Sequence, residues 1–234
     1  MPKAADTLFI IPARGGSKGI PGKNVKDFCG RPLIHYAIEQ ARQLGADSHV
    51  IVSTDSEKIA EVARQTGLAV DYRRPDALGS DTTGSREVML DVMDWADARG
   101  LEYDRVCLLQ PTSPLRTVDD IRRCLDAYSS DLDMVVSVVE TSANPYYNCF
   151  EENSEGFLSI SKGDGCLVRR QDAPKVWEYS GAVYVINPRS LRKHPLGLFA
   201  RRKGIGIDRE RAVDLDTELD WIIAETICRA SSSN

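Results

Sequence analysis

Residues 11–24, IPARGGSKGIPGKN, place Arg14, Lys18 and Lys23 among four glycines directly after a β-branched run. Basic side chains neutralise a polyphosphate, and glycines let backbone N–H groups close around an anion, so the Gly15-Gly16-Ser17 backbone is a candidate nest. From residue 14 to 31, five bases (Arg14, Lys18, Lys23, Lys26 and Arg31) face one acid, Asp27, in a chain of net charge −5. The spacing fits neither the Walker loop, since Lys23 is followed by Asn24, nor the G-x-G-x-x-G dinucleotide loop. The competing reading is an ordinary solvated loop. Near the other end, AVDLDTELD sets Asp214 and Asp216 two residues apart. In extended backbone that period puts both carboxylates on one face, where they suit Mg²⁺, which completes its shell with waters and phosphate oxygens. Acids there also fit a helix start, with Asp216 as cap before Thr217. Spacing leaves both readings open.

These segments need elements to position them. Short β-branched runs, TLFIIPA, HVIVST (49–54), AVDYR (69–73), RVCLLQ (105–110) and DMVVSVVE (133–140), alternate with helical periodicity. Leu33, Ile34, Ala37, Ile38, Ala41 and Leu44 mark one helix, and Ile59, Val62 and Ala63 the next. Val88, Val92, Trp95 and Ala96 mark a third, and Val118, Ile121, Cys124 and Leu125 a fourth, which Thr117 and Asp120 open as a capping box. The alternation predicts an α/β fold, Rossmann-like, with a mostly parallel sheet and helices on both faces. Ligands in such folds sit beyond the carboxyl ends of the strands. Beyond those in the glycine loop, the polar residues there are Asp55, read as a cap for the following helix, and Gln110, Ser113 and Arg116 in QPTSPLR. Gln110 reads as functional, because Pro111 ends the ladder beside it.

After residue 140 the composition shifts to Asn, Gly, Ser and aromatics, with short strands such as FLSIS, before AVYVIN restores a core strand. Residues 141–178 therefore read as an inserted β-rich arm within one domain spanning 1–234. Its Tyr146, Tyr147, Phe150, Phe157 and Trp177 are too apolar for a free hairpin and predict a subunit interface. Arg169, Arg170 and Gln171 within the arm are either a solvated face or a fork for a carboxylate. The closing helix carries Leu219, Ile222, Ile223 and Ile227 as its apolar positions. A chain of 234 residues with 42% hydrophobic content supports a full core. Its acidic balance argues against a nucleic-acid surface, and no apolar run nears the roughly 20 residues of a membrane span. Six scattered cysteines without a C-x-x-C pair argue against zinc and for reduced thiols, so a cytoplasmic protein is expected.

Taken together, IPARGGSKGIPGKN, STDSEKIA, RPDALGSD, LLQPTSPLRTVDDI, RRQDAPKVWEYSGAVYVIN and VDLDTELDW resemble, in order, the N-acylneuraminate cytidylyltransferases, or CMP-sialic acid synthetases. The resemblance runs from about residue 8 to residue 224. It implies the nucleotide-diphospho-sugar transferase type of fold and transfer of a cytidylyl group from CTP to a nine-carbon sugar acid with Mg²⁺ as cofactor. It also implies a homodimer formed through the arm, while the acidic balance and the short apolar runs leave neither nucleic acid nor membrane as an expected partner. Carried over, Arg14 and Lys23 contact the triphosphate along the Gly15-Gly16-Ser17 loop, and Asn24 approaches the cytosine. Arg74, Thr83 and Ser85 match the cytidine-recognition segment. Gln110 and Arg170 match residues that hold the sugar, and Tyr184 lies on the strand lining its pocket. Asp214 and Asp216 match the metal-binding aspartates, which makes Arg14, Lys23 and Asp216 the expected catalytic groups. Two departures, Tyr147 in NPYYN and Ser180 before Gly181, leave the identity of the nine-carbon acid open. A nucleotide-binding subunit without catalysis is the rival from another class.

Overall fold

A computed structural model of the chain describes residues 7–16, 19–80 and 83–232. The strands are β1 (Thr7–Pro12), β2 (Asp27–Phe28), β3 (Arg31–Pro32), β4 (Val50–Ser53), β5 (Arg105–Leu108), β6 (Met134–Glu140), β7 (Phe150–Glu152), β8 (Leu158–Ile160), β9 (Trp177–Ile186) and β10 (Arg202–Gly206). The helices are α1 (Leu33–Arg42), α2 (Glu57–Arg64), α3 (Ser85–Asp97), α4 (Val118–Asp126), α5 (Pro188–Lys193) and α6 (Glu218–Ser232).

Six strands form the central sheet in the order β10-β6-β9-β5-β1-β4. β1 runs parallel to β4 and β5, and β6 parallel to β10, whereas β9 is antiparallel to both β5 and β6. Period-2 geometry explains why β1 is apolar throughout. Phe9 and Ile11 pack with α1, α2 and α4 on one face, and Leu8 and Ile10 with α3 and α5 on the other. A third cluster, Phe28, Leu33, Tyr36, Leu215, Trp221 and Ala224, docks α6 against the β2–β3 hairpin and α1. The capping box of α4 forms as predicted, with Thr117 and Asp120 reciprocating.

Two expectations are corrected, and the direction of one strand is decided. Residues 69–73 form no strand; the segment meets the sheet edge through Arg74 N donating to Thr54 O at 3.0 Å, while Tyr72 turns inward against Trp95. The strand restored after the arm runs against its neighbours, a direction that an all-apolar run cannot reveal. On α6 the inward stripe is Trp221 and Ala224, and Leu219, Ile222 and Ile223 face outward. The arm forms the β7–β8 hairpin and returns to the sheet at Trp177, with Phe157 and Leu158 each 66% exposed. No helix among the described residues is long and apolar enough to cross a membrane.

Candidate active site

The carboxyl ends of β1 and β5 open onto a cleft of about 300 Å³ lined by Pro12, Arg14, Gly19, Lys23, Asn24, Arg74, Thr83, Ser85, Val88, Gln110, Pro111, Thr112 and Asp216. Eight residues singled out from the sequence therefore meet there: Arg14, Lys23, Asn24, Arg74, Thr83, Ser85, Gln110 and Asp216.

The glycine loop is tied down at both ends. Gly15 N donates to Asp55 Oδ1 at 2.8 Å, so that amide is committed within the protein, and Gly15 and Gly16 lie outside the cleft lining. Asp55 is thus a tie between the β1 and β4 ends rather than a helix cap; Ser56 occupies the cap position of α2. Ser17 and Lys18, both candidates for the anion site, lie outside the described residues. A Cβ on Gly19 would sit 2.1 Å from the Asp216 carbonyl oxygen, so only glycine lets the loop pass so close to the aspartate segment. Gly22 adopts φ 65° and starts the turn that carries Lys23 and Asn24. Lys23 Nζ donates to Leu215 O at 2.6 Å and pairs with Asp216 Oδ1 at 3.3 Å. Buried Asn24 donates from Nδ2 to Arg14 O at 3.2 Å. Loop and aspartate segment are one assembly although almost the whole chain lies between them.

Leu215 is buried in the third core cluster, which anchors the segment between the two aspartates. Asp216 lines the cleft with its side chain 74% exposed. It is not a helix cap, because Thr217 and Asp220 form that box themselves, Thr217 N and Oγ1 both donating to Asp220 Oδ2 at 2.7 Å. Asp214 lies outside the lining, close to Gly181, and its Oδ1 is buried with no hydrogen-bond partner among the described residues. Burial pushes the Asp214 carboxyl above the usual range, opposed by a hydrogen bond from Thr112 and augmented by the charge of Asp216.

Across the cleft, Arg74 is buried and holds β4, with Nε donating to Ser53 Oγ at 3.0 Å and Nη2 to Ser53 O at 2.8 Å. Burial lowers its pKa, and the charge of Asp55 offsets part of that. Ser85 begins α3, whose N-cap is Gly84 with no side-chain hydrogen bond, and the N-terminus of that helix lies beside the cleft. Tyr184 is partly buried in the sheet beside Tyr179, and burial followed by the field of Asp214 raises its pKa. Neither Tyr184 nor Arg170 lines the cleft. Arg170 is exposed in the arm, where Arg169 forms a bidentate pair with Asp172 at 2.8 and 2.9 Å. Thr112, which sequence reasoning passed over, contacts both the cleft and Asp214; its place two residues after Gln110 was the available signal.

A basic wall, a buried guanidinium and an exposed carboxylate around one cleft suit a nucleoside triphosphate, and residues 8–179 match the cytidylyltransferase family along most of the chain. The chain belongs to that family. It is a cytidylyltransferase, a kind of nucleotidyltransferase. It is 31% identical to a CMP-N,N′-diacetyllegionaminic acid synthase of Legionella pneumophila subsp. pneumophila, over 94% of this chain and 95% of that one. An N-acylneuraminate cytidylyltransferase of Streptococcus agalactiae is 34% identical over 92% of this chain but only 51% of its own length. Among solved structures, a CMP:2-keto-3-deoxy-manno-octonic acid synthetase complexed with CTP superposes with a TM-score of 0.67 at 19% identity, covering 97% of this chain and 99% of that one. This last likeness is one of fold.

Proposed function

We propose that this cytidylyltransferase joins CTP to a nine-carbon 2-keto sugar acid, N-acetylneuraminate first among them, giving the CMP-sugar and pyrophosphate. The observation that carries the reading is the convergence of Arg14, Lys23, Asn24, Arg74, Thr83, Ser85, Gln110 and Asp216 on one cleft. Activation of N,N′-diacetyllegionaminate is the second reading, favoured by the Legionella relative that matches end to end.

The anomeric hydroxyl attacks the α-phosphate in line with the departing pyrophosphate, and the protein supplies mainly position and charge. Arg14 and Lys23 offset charge on the leaving group. Asn24, Arg74, Thr83 and Ser85 hold the cytidine, and Gln110 and Tyr184 flank the sugar acid. The residues present fit Mg²⁺: the buried, unpartnered Oδ1 of Asp214 and the exposed carboxylate of Asp216 are hard oxygen donors coupled through their charges. Bound there, Mg²⁺ supplies positive charge toward phosphate oxygens. Lys23, which pairs with Asp216 at 3.3 Å, would turn to phosphate when the nucleotide binds. CTP is a cytoplasmic nucleotide, which supports a cytoplasmic enzyme. Calorimetric titration with Mg²⁺ is expected to give CTP binding at least about tenfold tighter than UTP, the worth of one mispaired polar group in a buried site. Equal affinities would contradict the cytidine assignment, and tight CTP binding without pyrophosphate release would favour the non-catalytic subunit.

Exposed Phe150, Phe157, Leu158 and Val168 support a homodimer formed through the 141–178 arm, a route by which Arg170 reaches a sugar site. Sedimentation should then find dimers at micromolar concentration and monomers for Phe157→Asp. A wild-type monomer would overturn the dimer.

A further inference from the structure

Strand β9 departs from its ladders in mid-course. It pairs with β6 through Trp177–Tyr179 and again from Tyr184 to Ile186, with a register shift between Val136 and Val138, and with β5 only from Tyr184 to Ile186. Backbone groups set loose inside a sheet need other partners. Ser137 supplies some of them: Val183 N donates to its Oγ at 2.9 Å, and that Oγ meets Ser180 Oγ at 2.6 Å. Arg116 supplies another. Its Nη1 donates to Ala182 O at 3.1 Å and to Gln110 O at 2.5 Å. Its Nε donates to Gln40 Oε1 at 2.9 Å, and Gln40 Nε2 donates back to Arg116 O at 2.6 Å. One side chain therefore joins α1, the turn after β5 and the irregular part of β9.

Arg116 is only 2% exposed, and all three of these acceptors are neutral oxygens. Burial lowers its pKa to about 10, the sign of a charge placed where it is costly. For stability alone a well-packed apolar side chain serves as well, so the use of a fork points to geometry. The two carbonyls it holds belong to Gln110, whose side chain lines the cleft, and to Ala182, two residues before Tyr184. The surroundings are polar and under-satisfied: Arg116 Nη2, Ser113 Oγ and Asp214 Oδ1 are all buried without partners among the described residues. A Cβ on Gly181, which has φ 75°, would lie 3.3 Å from Asp214 Oδ2 and 3.7 Å from Ser113 Oγ.

We propose that Arg116 is a positioning residue for the acceptor side of the site: by fixing the Gln110 and Ala182 carbonyls it sets the spacing of Gln110 from β9 and thereby the affinity for the sugar acid, without touching substrate. This rests on the reading of Gln110 and Tyr184 as the sugar side. Arg116→Lys keeps the charge and loses the fork. Its KM for the sugar acid is expected to rise about tenfold while KM for CTP stays within about twofold, the loss of one buried charge-assisted hydrogen bond confined to one substrate. A rise in both constants together, or in neither, would overturn the proposal. If Arg116→Lys does not fold, Gln40→Met removes the Nε acceptor with Arg116 in place, and KM for the sugar acid alone should rise about threefold. Should the wild-type enzyme release no pyrophosphate with any sugar acid, the functional reading fails, and positioning is read from hydrogen exchange. Arg116→Lys should then quicken exchange of the 112–113 and 180–184 amides and leave the rest of the sheet unchanged; uniform quickening would overturn it.

Discussion

Asp216→Asn is expected to lower kcat by about two to three orders of magnitude with little change in thermal midpoint. The side chain is 74% exposed and, among the described residues, pairs with Lys23 at 3.3 Å, a rim contact that contributes at most about 1 kcal/mol to folding. The helix that follows does not need it, since Thr217 and Asp220 cap α6 between themselves. Asparagine keeps the shape and one oxygen but removes the anionic donor, so the loss falls on charge stabilisation at the phosphates. The Mg²⁺ concentration for half-maximal rate should rise in the same variant. A kcat within about threefold of wild type would remove Asp216 from the reaction.

Gly19→Ala is expected to cost about a hundredfold in kcat/KM, because the added methyl group cannot be turned away. Its Cβ would lie 2.1 Å from the carbonyl oxygen of Asp216, a backbone atom, so either the loop or the aspartate segment must move. Lys23 ties the same two strands of chain through Leu215 O, so the displacement carries into the cleft. A misplacement of about 1 Å in a positioned site costs rates of this order. Gly16→Ala is the comparison, since a Cβ there meets nothing within 4 Å, and its loss should stay under about tenfold. Equal losses at the two positions would show that the close approach at Gly19 does not matter.

The sheet was legible in the sequence because strands buried on both faces must be apolar throughout, as Leu8 to Ile11 are. Helices were legible where one stripe dominated, as in α1. On α6 two apolar stripes compete, and only the hollow formed by Phe28, Leu33 and Tyr36 decides that Trp221 and Ala224 turn inward. The direction of β9 left no trace in composition, since burial on both faces is the same either way along the strand. The site was legible through the strand-end rule, which led to Arg14, Gln110 and their neighbours. Asp55 was misread as a cap because its partner, the amide of Gly15, stands 40 residues away and nothing local signals it. Arg116 showed only as a polar residue after a strand; its partners Gln40 and Ala182 become neighbours solely through the fold.

The most direct test is pyrophosphate release from CTP and Mg²⁺ with N-acetylneuraminate, its deaminated analogue, N,N′-diacetyllegionaminate, pseudaminate and 3-deoxy-manno-octulosonate. Release with a nine-carbon acid, and none above background with the eight-carbon acid, is the predicted result. Silence with every acid while CTP still binds would contradict the proposed reaction.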